Sequence, residues 1–185
     1  MKAALDVRVG VLALCLAGCA AWSPPQPPPA NLGAFAPTPI EVAVRMLELA
    51  EVGPTDVVYD LGSGDGRIVI LAAQRYQARG VGVEIDPTLI WFSRRDAERA
   101  RVGHLVSFRE QDALTVNIAG ATVVTLYLTK EANLALRPRL RAQLRPGARV
   151  VSHAHDMGDW PPDRVERVAL KGGAEHTLFL WRIAK

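Results

Sequence analysis

The run Asp60-Leu61-Gly62-Ser63-Gly64-Asp65-Gly66 limits what this chain can fold into more than any other feature. It follows the apolar, β-branched stretch Val57 to Leu61 and precedes the amphipathic stretch Arg67 to Tyr76, so its glycines fall at a strand-to-helix turn. Glycines there let the backbone turn sharply and approach a ligand without a Cβ clash. Glu84 closes the next β-branched run, where a carboxylate can accept hydrogen bonds from both ribose hydroxyls. Strand, loop, helix and acid in register point to a nucleoside site rather than an ordinary β-to-α turn. A nicotinamide or flavin fingerprint fits less well, because it wants a third glycine where this chain has Arg67 and lacks an equivalent of Asp60.

Around that loop, β-branched runs alternate with amphipathic ones, the pattern of a parallel sheet covered by helices. Thr38, followed by Pro39 and Glu41, can cap a helix running to about Glu51, with Gly53-Pro54 ending it. Strands are predicted at Val57–Leu61, Gly80–Ile85, Val106–Glu110, Thr122–Leu128 and Ala148–His153. Helices are predicted at Arg67–Tyr76, at Thr88–Arg101 with Leu89, Ile90, Phe92 and Ala97 inward, and at Lys130–Leu144. Arg164–Leu170 and Thr177–Ile183 flank Lys171-Gly172-Gly173, a hairpin-like connection that adds an antiparallel pair. The expected class is therefore α/β, with seven strands, mostly parallel.

The N-terminal segment has a different composition. Lys2 and Arg8 flank Asp6, an apolar run covers Val9 to Ala17, and Leu16-Ala17-Gly18-Cys19 follows, which resembles a lipoprotein signal peptide. The run stops at Trp22-Ser23-Pro24, short of the roughly 20 residues a membrane-spanning helix needs. The expected organisation is a signal peptide at 1–18, a lipidated Cys19 with a Pro-rich linker at 19–37, and one domain at 38–185. The resemblance implies anchoring in the bacterial cell envelope, and Ala20, in place of the aspartate of inner-membrane retention, favours the periplasmic face of the outer membrane. The remaining cysteine, Cys15, lies in the leader, so the domain has neither a disulfide nor a thiolate metal site. A net charge of +3, with acids and bases interleaved, is no nucleic-acid signature, and no nucleic-acid partner is expected.

Asp60 to Gly66 resembles motif I of class I S-adenosylmethionine-dependent methyltransferases, and Val83-Glu84-Ile85-Asp86 resembles their following acidic motif. Gln111-Asp112-Ala113 is similar to the segment whose acid binds the adenine amino group. Phe35-Ala36-Pro37-Thr38-Pro39, Val58 to Arg67 and Thr125-Leu126-Tyr127-Leu128 look like the small protein-lysine methyltransferases that modify the mitochondrial adenine nucleotide translocase and ATP synthase c-subunit. More distantly they are similar to the nucleosomal histone lysine methyltransferase without a SET domain. Asn133 and Val151-Ser152-His153 to Asp159-Trp160 fit the first group too, and the similarity extends from Phe35 almost to the C-terminus.

The resemblance implies a Rossmann-like class I methyltransferase fold, S-adenosylmethionine as cofactor and a protein lysine as acceptor. Asp60 and the loop of Gly62, Ser63, Gly64 and Gly66 would face the methionine part, Glu84 with Ile85 the ribose, and Asp112 the adenine. Tyr127 would line an acceptor channel and Asn133 orient nucleophile or cofactor; equally, Tyr127 is a core-edge aromatic and Asn133 a helix-surface residue. Thr38 and Pro39 are a lid over the cofactor or simply a helix cap. His153, His155, Asp156 and Asp159 match no firm ligand spacing, so no metal site is expected, and a polar loop at the sheet edge is the better account. Arg137, Arg139, Arg141 and Arg145 make a solvated face or, less simply, a surface for anionic lipid. A scaffold that binds cofactor without turnover is the alternative to an enzyme. A nucleic-acid methyltransferase is disfavoured because Thr125-Leu126-Tyr127-Leu128 is no Asn-Pro-Pro-aromatic motif.

Overall fold

The computed structural model describes residues 35–184; the expected signal peptide, Cys19 and the linker up to residue 34 lie outside the described residues. The elements run α1 (Ile40–Leu49), β1 (Val57–Leu61), α2 (Arg67–Tyr76), β2 (Arg79–Glu84), α3 (Pro87–Arg99), β3 (Val106–Glu110), β4 (Val123–Leu126), α4 (Lys130–Gln143), β5 (Arg149–His153), β6 (Arg164–Ala169) and β7 (Glu175–Arg182). The seven strands form one sheet in the order β3-β2-β1-β4-β5-β7-β6. The first five are mutually parallel, and β7 runs antiparallel to both β5 and β6.

Side chains along a strand alternate between faces, and here the alternation feeds two apolar layers. Val58, Val123 and Val151 join the layer under α1, α2 and α3, whereas Tyr59, Val124 and Val150 join the layer under α4. Strands buried on both faces read as mainly apolar, β-branched runs, as β1, β4 and β5 do towards their amino ends and centres, with the polar Asp60, Thr125, Ser152 and His153 kept for their carboxyl ends. On α1 the residues Val42, Ala43, Met46 and Leu47 fall on one stripe and are fully buried. At roughly 1.5–3 kcal/mol per large side chain, that stripe holds the helix against the sheet.

Element ends depart from the expectations where side-chain caps decide them. Thr38 does not cap α1: Pro39 occupies the cap position without a side-chain bond, and the Thr38 hydroxyl turns to His153 instead. Asp86 caps α3 by accepting from Thr88 N at 2.7 Å, starting it one residue early. Phe92, expected inward on α3, lies exposed against Trp91, and Ser93 takes the buried place because its hydroxyl donates to Gly64 O. Thr129 caps α4 through Ala132 N, so that helix begins at Lys130 as expected, while β4 stops at Leu126, short of the expected Leu128.

The arginines on and after α4 do not form one surface. Arg137 donates to Met157 O and pairs with Asp159, Arg139 donates to Val116 O, and the Arg141 guanidinium lies 5.7 Å from the Trp160 ring centre. They tie the helix to two neighbouring segments, the loop after β3 and the loop after β5.

Candidate functional site

Sheet order reverses between β1 and β4, since β1 leads outward to β2 and β3 while β4 leads to β5. Open α/β sheets bind ligands in the crevice at the carboxyl ends of the strands at such a point. The glycine loop leaves the carboxyl end of β1, and a cavity of about 290 Å³ opens beside it.

Asp60, near the end of β1, is 3% exposed, and Thr125 Oγ1 of β4 donates to its Oδ1 at 2.7 Å. Burial pushes its carboxyl up to about 7, with repulsion from Asp65 and Glu84 adding to the shift and only the Thr125 hydroxyl opposing it. No cation pairs with it among the described residues. A desolvated carboxylate at a cavity wall without a cationic partner is matched by a ligand that brings its own positive charge.

The loop itself is built on backbone bonds. Gly62 N and Ser63 N both donate to Val83 O, at 2.8 and 2.9 Å, and Gly66 N donates to Ser63 O. Gly64 has φ +54°, and a Cβ there would come within 2.5 Å of the Phe35 ring, so only glycine lets the loop lie under that ring. Glu84 clasps the loop: Oε2 accepts from Gly64 N at 2.9 Å, and Oε1 accepts from Ile85 N and Asp86 N. Two carboxylate oxygens have about four acceptor sites, so capacity remains for a ligand hydroxyl. Asp112, set by the end of β3, accepts from Leu114 N at 2.8 Å. The buried Ser63 Oγ has no partner among the described residues.

Of the residues singled out in the sequence, Asp60, Gly62, Ser63, Gly64, Glu84, Ile85, Asp112 and Tyr127 all line this one cavity. Gly66 does not. It starts α2 at φ +77°, and a Cβ would meet Phe108 and Ser93, so its work is packing the helix against β3 and α3. Asn133 also lies off the cavity wall, and it is fully buried rather than on the helix surface. Its Nδ2 donates to Ser152 Oγ and His155 O, which ties α4 to β5 and the loop beyond.

Phe35, Thr38, Leu89 and Leu128 complete the wall. Thr38 belongs to the arm that covers the cavity, and Arg67 holds that arm by donating from Nη1 to Thr38 O at 2.9 Å while paired with Asp65. Periodicity gives no sign of this; only the Phe35-Ala36-Pro37-Thr38-Pro39 wording pointed there. Tyr127 is half-buried and stacks on His153, ring centres 3.9 Å apart. Among the described residues, no three His, Cys, Asp or Glu side chains stand together as a metal site.

Residues 60–164 match the family model described as the ANTKMT methyltransferase domain. The chain is 41% identical over 152 residues to a protein-lysine N-methyltransferase of Saccharolobus islandicus, covering 82% of this chain and 94% of that one. It is 36% identical over 118 residues to the adenine nucleotide translocase lysine N-methyltransferase of Mus musculus, covering 64% of this chain and 51% of the relative, so it spans about half of that protein. A crystal structure described as an RNA methyltransferase from Salinibacter ruber, in complex with S-adenosyl-L-homocysteine, superposes with a TM-score of 0.76 at 55% identity, covering 81% of this chain and 95% of that one.

Proposed function

We propose, for a chain that belongs to the ANTKMT methyltransferase domain family and is an S-adenosylmethionine-dependent methyltransferase, that the methyl acceptor is the side-chain amine of a protein lysine. The observation that carries this is the charge of the cavity wall. Asp60, Asp65, Glu84, Asp86 and Asp112 line it against a single guanidinium, Arg67, which is already paired with Asp65. Such a wall attracts a cationic amine and repels a phosphate backbone.

The residues present fit the cofactor. The buried Asp60 carboxylate suits its cationic end, the Gly62 to Gly64 backbone its close approach, Glu84 the ribose hydroxyls and Asp112 the adenine amino group. Bound there, S-adenosylmethionine supplies an electrophilic methyl on a sulfonium that leaves as a neutral sulfide. The chain's own contribution is to hold the acceptor nitrogen in line and to exclude water. Tyr127 and Leu128 provide an apolar wall beside the loop, and the arm from Phe35 to Thr38 covers it. The methyl therefore needs no strong protein base, but the acceptor nitrogen must be a free amine at the moment it attacks.

A second acceptor class, RNA, is favoured by the description of the Salinibacter ruber relative. Labelled methyl transfer from S-adenosylmethionine to lysine-containing protein and to total RNA, run side by side, separates the two. Label on acid-stable methyl-lysine supports the proposal, and label confined to RNA overturns it. The family's domain would further act at a membrane if Cys19 is lipidated, which the signal-like Leu16-Ala17-Gly18-Cys19 supports. Retention of labelled palmitate by the wild-type chain, lost in Cys19→Ser, tests that.

A further inference from the structure

Methyl transfer as described leaves one buried group without a task. His153 ends β5 at 1% exposure, and each of its ring nitrogens has a partner. Nδ1 lies 3.3 Å from Thr38 Oγ1, and Nε2 lies 2.9 Å from His176 Nδ1 on β7. Thr38 lines the cavity, as does Tyr127, which stacks on the His153 ring; His176 is half-exposed. An unbroken chain of hydrogen-bonding atoms thus runs from the cavity wall, through a buried imidazole, to the protein surface.

The groups around the ring decide what it can do with a proton. Tyr127 covers it from the end of β4, His176 faces it from β7, and His155 stands in the loop after β5. On the arm side Arg67 donates to Thr38 O and is paired with Asp65. No carboxylate bonds to His153 among the described residues. Burial, together with His176 and His155, pushes its pKa down to about 4. The ring is therefore neutral near pH 7, donating from one nitrogen and accepting at the other, and the site gives no support to a lasting imidazolium.

A lysine has a pKa of about 10.4 in water and enters as an ammonium, with no lone pair to attack a methyl. We propose that Thr38, His153 and His176 carry the acceptor's proton out of the cavity, an inference that rests on lysine being the acceptor. One N–H bond of the ammonium breaks and its proton passes to Thr38 Oγ1, whose own hydroxyl proton moves to His153 Nδ1. The proton on His153 Nε2 moves to His176 Nδ1, and His176 releases the proton on its other nitrogen to water. The amine keeps the electron pair that then bonds the methyl, the sulfide departs neutral, and one proton has left for solvent. Thr38, His153 and His176 are positioning and relay residues, acting on the nucleophile's protonation state.

The test uses the full chain with poly-L-lysine and labelled S-adenosylmethionine, following kcat and KM from pH 6 to 10 for wild type, His176→Ala and Thr38→Val. His176→Ala should lower kcat by about 10²-fold near pH 7, with the deficit closing towards pH 10, where the amine is already neutral. Added imidazole should restore its rate, while S-adenosylhomocysteine affinity stays at the wild-type value and reports an intact fold. Thr38→Val, of the same shape without the hydroxyl, should show the same pH-dependent deficit and no imidazole rescue. A His176→Ala profile parallel to wild type, or one untouched by imidazole, overturns the relay while leaving the lysine acceptor in place. A wild-type chain that leaves poly-L-lysine unmethylated at every pH removes the lysine acceptor and the relay with it.

Discussion

At the residue scale the site turns on one carboxylate. Asp60 is buried with a hydroxyl as its bonding partner, and burial raises its pKa to about 7. The folded chain then holds this proton more tightly than the unfolded chain does, so the group favours folding most below the usual carboxylate pKa of about 3.8. That stabilisation is lost as pH rises through about 7. A cationic ligand reverses the preference, because it needs the ionised form. Cofactor affinity should therefore weaken as pH falls from 8 to 6, and calorimetry at both values, with proton release followed by buffer exchange, measures it. Asp60→Asn should bind about 10- to 100-fold more weakly and lose that pH dependence, while its thermal midpoint at pH 8 holds or rises, since an unpaired buried charge is gone. Gly64→Ala should fail differently, because it strains φ +54° and strikes Phe35; it should weaken binding at every pH alike.

Elements divide this molecule into a working end and a holding end. At the amino ends of the strands, Asp56 accepts from Gly53 N, Thr122 Oγ1 and Arg149 Nη2, joining the loop before β1 to the starts of β4 and β5. Burial works against its ionised form, but those bonds and the Arg149 charge hold its carboxyl below the usual range. Its stabilisation is accordingly present above the ordinary carboxylate pKa and lost as pH falls through the lowered one. Arg149→Met should cost about 3 kcal/mol in urea unfolding near pH 7, because it strands a largely buried carboxylate, yet leave cofactor affinity unchanged. At the carboxyl ends, Thr129→Ala should cost about 1 kcal/mol by uncapping α4. Strand and helix order was legible in the sequence because β1, β4 and β5, covered on both faces, are rich in valine, and the glycine loop marks where the first crossover begins. Exact ends were less legible where a single side-chain bond sets them, as Asp86 does for the start of α3, because periodicity does not register it. Phe92 misled for the same reason: the spacing allowed it inward, and a Ser93 hydroxyl bond to the loop took the place.

Across the whole molecule, topology gathers residues that lie far apart in the chain. The ends of β1, β2 and β3 bring Asp60, Glu84 and Asp112 to one cavity; Asp60 and Glu84 could be placed from the strand ends they occupy, Asp112 only through the resemblance of Gln111-Asp112-Ala113. The return of β7 beside β5 sets His176 against His153, and the arm before α1 lays Thr38 on the same ring; long-range pairings of this kind leave no local pattern. Asn133 was singled out for a role at the site, but its burial behind the wall makes it a tie between α4 and the loop after β5. We propose that this gathered, acid-lined cavity is the adenosyl-sulfur site. Calorimetric titration of the full chain with S-adenosylmethionine, S-adenosylhomocysteine and NAD decides this. Saturable one-to-one binding of the first two is expected, abolished in Asp60→Ala with Glu84→Ala, with no heat from NAD; NAD binding as tightly, or adenosyl-sulfur binding that survives the double substitution, would overturn the assignment.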